Sequence, residues 1–230
     1  MKYPRTMNLP WSDTQSRDDV FIQDCSCFEG KQVVITEKLD GENTNLYGVS
    51  DQYPNGRFHA RSQETNHHPS RTWIKQLLAG ICFQIPKCDQ LCGENLYAHH
   101  SIFYTELPSY FFLFNMVRDY VVLSWEEIEY TAESLFLETA PVLYRGLWDE
   151  EKVKSIWTGK GNYPTFDGPD GKSVDAEGYV VRLASEFPVT DFHISVAKYV
   201  RKNHVQTDEH WMTKEVVPNR LKHVAKCHRK

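Results

Sequence analysis

At 230 residues, with 40% hydrophobic and 13% aromatic side chains, the chain has material for one sizeable buried core, or for one domain with a small appendage. A net charge of -5 and a pI near 6.1 exclude a bulk polyanion binder, so any nucleic-acid contact needs a local basic surface. No stretch approaches the roughly 18 to 20 apolar residues that span a bilayer. The opening MKYPRTMNLPWSDTQSRDD also lacks the apolar core of a secretory signal, so a soluble, cytoplasmic protein without membrane attachment is expected.

Along the chain, runs rich in Val, Ile, Phe and Tyr predict strands at 32–37, 43–49 and 57–62, separated by the turns Asp40-Gly41 and Pro54-Asn55-Gly56. SRTWIKQLLAG predicts a helix capped by Ser70, closed at Gly80 and apolar along Trp73, Ile74, Leu77 and Leu78. Strands at 91–97 and 110–117 precede SWEEIEYTAESLF, where Ser124 and Glu127 form a capping-box pattern. WDEEKVKSIWTG predicts a third helix. The turn-rich FDGPDGKS from Phe166 to Ser173 then leads to strands at 177–183 and 194–200. A last helix is expected over TKEVVPNRLKHVAKCHRK, broken at Pro218. Strands before, between and after helices imply an α+β fold with largely antiparallel sheets flanked by helices. The expected division is 1–210 for the domain and 211–230 for a basic helical tail carrying Lys214, Arg220, Lys222, Lys226, Arg229 and Lys230. That run is the candidate basic surface for nucleic acid, although charge alone favours a solvated helix face or a frayed tail.

The six cysteines are too sparse for a disulfide scaffold. Cys25-x-Cys27 and Cys88-x-x-x-Cys92, near His67-His68 and His99-His100, do not match paired C-x-x-C zinc knuckles, which favours reduced structural thiols.

The most informative stretch is VVITEKLDGENTNLYG, residues 33–48. Lys38 closes an apolar strand and precedes a tight Asp-Gly turn, which holds its amine at a sheet rim. A lysine there is a nucleophile only if something lowers its ordinary pKa of about 10.4. Glu37, Asp40 and Glu42 would push the other way unless a divalent cation neutralised them. Taken by itself, the stretch favours a plain ion pair over the nucleophile of a metal-dependent site.

Further motifs shift that balance. EKLDGEN resembles the K-x-D-G signature of the covalent nucleotidyltransferases, the superfamily of ATP-dependent DNA ligases, RNA ligases and mRNA capping enzymes. FHARS, CGENLYA, YFFLFNM, AEGYVVR and VAKYVR resemble the superfamily's later motifs, in order, across residues 37–201. The asparagine of DGEN, the glutamate of GEN and the run VAKYVRKNHVQTDEHW are similar to the nick-sealing branch of RNA ligases. Only 32 residues follow Lys198, too few for an OB domain, so the resemblance implies a minimal nucleotidyltransferase core, ATP-grasp-like in architecture.

The resemblance implies that Lys38 attacks ATP and holds AMP covalently, then passes it to an RNA 5'-phosphate that a 3'-hydroxyl attacks. Glu177 and Asp40 would hold Mg2+, with Mn2+ as a substitute, although a turn-forming Asp40 is a rival reading. Glu94 would bind the ribose, or be an ordinary half-buried ion-pair partner. Arg61 would clamp a phosphate, unless it is a packed surface arginine. Phe114 would stack on adenine, or pack in the core. Glu37 and Leu39 flank the nucleophile where the family reads adenine, Glu37 through its backbone. Asn43, Arg182 and Arg201 are candidates for phosphate or RNA-end contacts. Lys198 would neutralise the α-phosphate and depress Lys38. The implied partner is RNA with 5'-phosphate and 3'-hydroxyl ends, with a repair-complex partner also conceivable. A DNA ligase or capping-type core, a nucleotide-binding module that has lost turnover, and AMP transfer to a protein side chain are the alternatives.

Three positions depart from the family pattern. Arg182 stands where many relatives have lysine, Arg201 follows Lys198-Tyr199-Val200 in place of a second lysine two positions on, and Asn115 replaces an aspartate.

Overall fold

The computed structural model describes residues 1–13, 19–60, 68–166, 175–202 and 215–222. In chain order the strands are β1 (Met7–Asn8), β2 (Gln32–Lys38), β3 (Glu42–Tyr47), β4 (Arg57–Ala60), β5 (Asp89–Asn95) and β6 (Phe111–Arg118), followed by β7 (Val121–Val122), β8 (Glu138–Thr139), β9 (Val142–Leu147), β10 (Gly178–Leu183), β11 (Phe187–Pro188) and β12 (Val196–Val200). The helices are α1 (Thr72–Ile81), α2 (Trp125–Ser134), α3 (Glu150–Ile156) and the single turn α4 (Phe192–Ser195). One sheet runs β1-β12-β10-β2-β9, the other β11-β7-β6-β5-β3-β4, with β8 beside β6. The β1–β12 and β6–β8 pairs are parallel. The central ladders are antiparallel. The fold is α+β with mixed sheets, as the strand and helix signals implied.

β2 separates two cores. Its period-2 alternation sends Val33 and Ile35 into a cluster with Leu9, Phe28, Tyr179 and Val181, and Val34 into another with Leu46, Ile74 and Trp125. A strand buried on both faces is apolar without alternation. α1 and α2 cover the second sheet, inserting Ile74, Leu78 and Ile128 against Leu91, Leu113 and Met116. Each such side chain contributes roughly 1.5–3 kcal/mol. The predicted capping box holds: Glu127 N donates to Ser124 Oγ, and Ser124 N donates back to Glu127 Oε2.

Several expectations need correction. Ser70 caps no α-helix; it lies inside a 3-10 turn, Pro69–Arg71, and α1 starts at Thr72 and continues past Gly80. β9 carried no clear strand signal because it is a half-exposed edge strand interrupted by Arg145 and Gly146. The described part of the C-terminal segment, 215–222, is extended rather than helical: Pro218 bridges Ala98 and Leu221 bridges Leu107. The rest of that expected helix, with Lys214, Lys226, Arg229 and Lys230, lies outside the described residues, as do the 210/211 boundary, Cys227 and His67. The five described cysteines are free thiols.

Candidate active site

The turn after Lys38 joins the two sheets, because β2 belongs to one and β3 to the other. Lys38 therefore sits at the seam, on the floor of a cleft of about 780 Å³ between the sheets, a volume in the range of small-molecule sites. The seam is tight: a Cβ on Gly41 would stand 2.6 Å from Asn95 O, so only glycine fits. Asp40 Oδ2 accepts from the amides of Ser101 and Ile102, both at 2.7 Å, and Asp40 N donates to the Tyr104 hydroxyl at 3.0 Å. Gly41 N donates to Glu94 Oε1 at 3.1 Å.

Strand register decides what faces Lys38. Gly178 lies opposite it across the β10–β2 ladder, so the preceding Glu177 reaches back and its Oε2 accepts from Lys38 Nζ at 2.7 Å. A Cβ at position 178 would lie 1.9 Å from Tyr199 O, which explains the glycine there. Lys198, on β12 opposite Val180, lines the same cleft.

Burial acts to lower the Lys38 amine, but Glu177, Glu94 and Asp40 outweigh it and hold the group above the ordinary lysine value. The depression expected from Lys198 is thus not what the protein's own charges produce. Burial first, then Glu177 and Asp40, push Glu94 up to about 8 against the pull of Lys38. The cleft floor carries more carboxylates than this ammonium can balance.

Other expected residues divide. Phe114 and Asn43 line the cleft. Phe114 packs edge-on against Tyr3 at 5.5 Å, and Asn43 Oδ1 accepts from Asn45 Nδ2. Glu37 sends its buried carboxyl to Asn162, whose N and Nδ2 both donate to Oε2 at 2.7 Å, while burial raises its pKa. Leu39 buries its side chain in an apolar cluster with Leu96, Ile102 and Tyr104. Glu37 and Leu39 also line the cleft.

Arg182 spends its donors inside the protein. It is 3% exposed, and its guanidinium donates to Leu183 O, Asn115 Oδ1 and Leu123 O. Burial pushes its pKa down to about 10. It lines the cleft together with Asn115, one of its three acceptors, and braces the cleft from within the fold. Arg201 is half-buried: Nε donates to Ala176 O and Nη1 to the exposed Lys202 O, while its backbone N donates to Glu177 O at 3.0 Å, which steadies Glu177. Asp40 commits Oδ2 to two backbone amides, the turn-forming role that rivalled a metal role for it. Arg61 lies outside the described residues.

Two features carried no signal in the sequence. Arg71, fully buried, pairs with Glu42 through Nη2–Oε1 and Nε–Oε2 contacts across 29 residues of chain. The N-terminal segment forms a cleft wall: Met1 is tied to Tyr47 and Gln90, Met7–Asn8 pairs with β12, and Tyr3 is buried between. Both arise from contacts distant in sequence and attached to no local pattern.

The model of the RNA ligase family matches residues 31–200. Among solved structures, the chain is similar to a Naegleria gruberi RNA ligase with PPi, at 17% identity and a TM-score of 0.53 over 79% of this chain and 53% of that one. A mutant of the same ligase with ATP and Mn gives 16% identity and 0.52 over 77% and 51%. Form 2 of an archaeal ATP-dependent RNA ligase gives 15% and 0.54 over 86% and 48%. At these identities the likeness is one of fold, and the chain spans about half the length of these structures. No curated protein matches the chain.

Proposed function

Because this chain belongs to the RNA ligase family, we propose that it joins RNA 3'-hydroxyl and 5'-phosphate ends using ATP, through AMP carried on Lys38. The observation that carries this reading is Lys38 at the floor of a nucleotide-sized cleft, 2.7 Å from Glu177 and lined also by Glu94, Phe114 and Lys198. In the first step Lys38 Nζ, having lost a proton, attacks the α-phosphorus of ATP. An N–P bond forms, the bond to the bridging oxygen breaks, and pyrophosphate leaves. Next, an oxygen of an RNA 5'-phosphate attacks the same phosphorus, and the lysine nitrogen departs with a proton. Finally, the RNA 3'-hydroxyl attacks the 5'-phosphorus of that adenylylated end and AMP leaves. Each step is a displacement at phosphorus, for which positioning and charge neutralisation are the main demands.

Within this scheme Phe114 offers a face to adenine, Glu94 accepts from a ribose hydroxyl, and Lys198 neutralises the α-phosphate. Arg61 would hold a phosphate, and Asn43 the RNA end. Glu177 is the residue suited to hold Mg2+ or Mn2+. The fit is electrostatic: burial first, then Glu177 and Asp40, raise Glu94 to about 8, and a dication beside these groups would favour its ionised form. Such an ion supplies charge neutralisation at the transferring phosphate. The nucleotidyltransferase domain would comprise residues 1–210.

Intact mass after incubation with ATP and Mg2+ tests the reading. The expected result is a gain of one AMP, absent in Lys38→Ala, followed by sealing of nicked RNA. Bound AMP without a covalent adduct would favour a nucleotide-binding module instead, and an adduct persisting in Lys38→Ala would remove Lys38 as nucleophile.

A further inference from the structure

We propose that Tyr104 and Asn219 are positioning residues for the Lys38 turn, so that the segment 215–222 is a strap that orders the nucleophile rather than a basic tail. Asn219 lies outside the residues that match the family, 31–200. It is 2% exposed and fully engaged: Oδ1 accepts from Tyr104 N at 2.9 Å, Nδ2 donates to Leu96 O at 2.7 Å, and its backbone N donates to Tyr97 O at 2.9 Å. Its carbonyl accepts from the Tyr110 hydroxyl at 2.9 Å. The residues on either side complete the strap: His99 N donates to Val217 O, Arg220 N to Tyr104 O, and Leu107 N to Arg220 O.

Tyr104, held from behind in this way and 2% exposed, presents its hydroxyl oxygen to Asp40 N at 3.0 Å. The same loop supplies the amides of Ser101 and Ile102 to Asp40 Oδ2. The turn two residues beyond Lys38 is thus gripped by one loop, and Asn219 grips that loop. Hydrophobic packing of Leu39 against Leu96, Ile102, Tyr104 and Leu107 reinforces the contact. Neither Tyr104 nor Asn219 itself lines the cleft, so their effect on chemistry runs through the placement of Lys38.

The inference rests on the ligase reading for its kinetic consequence but not for its physical one. Tyr104→Phe deletes only the acceptor for Asp40 N–H, and Asn219→Ala deletes the contact one link back. In hydrogen exchange of the full chain, both should speed exchange of the Asp40 amide, by about tenfold for a lost bond of about 1.4 kcal/mol. In single-turnover adenylylation, the rate at saturating ATP should fall about tenfold while the half-saturating ATP concentration stays within about twofold. The double variant should be no slower than the worse single one, because both act along one path. Unchanged Asp40 exchange in Tyr104→Phe, equal losses in rate and ATP affinity, or additive losses in the double variant would overturn the proposal. If Asn219→Ala fails to fold, Tyr104→Phe still decides the link to Asp40. If the wild-type chain forms no AMP adduct, the ligase reading fails while the exchange measurement still tests the strap.

Discussion

Lys38 and Glu177, 139 residues apart in the chain, meet at 2.7 Å because Gly178 faces Lys38 across the β10–β2 ladder. This pairing raises the Lys38 amine above its ordinary value. A raised amine contributes stability that is fully present below the unfolded lysine pKa and lost as pH rises through the folded value. Glu177→Gln removes the nearest raising charge. At pH 9 its Lys38 should react with an amine-acylating reagent about three to ten times faster than in the parent, since one pKa unit is a tenfold change in free amine. Peptide mass spectrometry of the labelled site measures this, and equal labelling would mean that Glu177 does not govern the amine.

Glu94 carries the opposite kind of strain. Its pKa is raised to about 8, so the folded chain holds a proton that the unfolded chain releases near 4.5. Stability should therefore decline as pH climbs between those values. Glu94→Gln keeps an acceptor for Gly41 N and removes the charge. Its unfolding free energy should gain on the parent between pH 5 and pH 9, by roughly 1–2 kcal/mol after allowance for partial exposure. A parallel pair of pH curves would contradict this.

Gly178→Ala would force a methyl to within 1.9 Å of Tyr199 O. Backbone cannot yield as a flexible side chain does, so β10 and β12 must part. A loss of about 3 kcal/mol or more in urea unfolding is expected. Adduct formation should fall as well, because Glu177 depends on this strand. Near-parental stability would show that the two strands are spaced more widely.

Arg182→Met separates a brace from an RNA contact. The change strips donors from Leu123 O, Leu183 O and Asn115 Oδ1, all buried, and should cost about 2–4 kcal/mol. RNA affinity of the folded fraction, measured by anisotropy under stabilising conditions, should stay within about twofold. A selective loss of affinity with stability intact would return Arg182 to the binding surface.

Local features were legible in the residues themselves. Ser124 and Glu127 cap α2 because they lie three apart on one turn. Lys38, Asp40 and Gly41 mark a strand end and turn because lysine, aspartate and glycine each suit their step of that path. The motif order across residues 37–201 carried the RNA ligase resemblance, which the family match over 31–200 supports.

Direction and partnership were not legible. Arg182 occupies a strand position in a motif of phosphate-handling enzymes, yet its guanidinium is buried among protein acceptors, because register and the neighbouring layer decide which way a strand residue points. The edge strand β9, the Arg71–Glu42 pair, the N-terminal wall and the Asn219 strap all rest on contacts between distant segments. The sequence by itself determined which chemistry-bearing residues exist and in what order. The tertiary structure alone decided which carboxylate meets the lysine and what holds its turn, since such contacts form only when two sheets, the N-terminal segment and residues 215–222 come together.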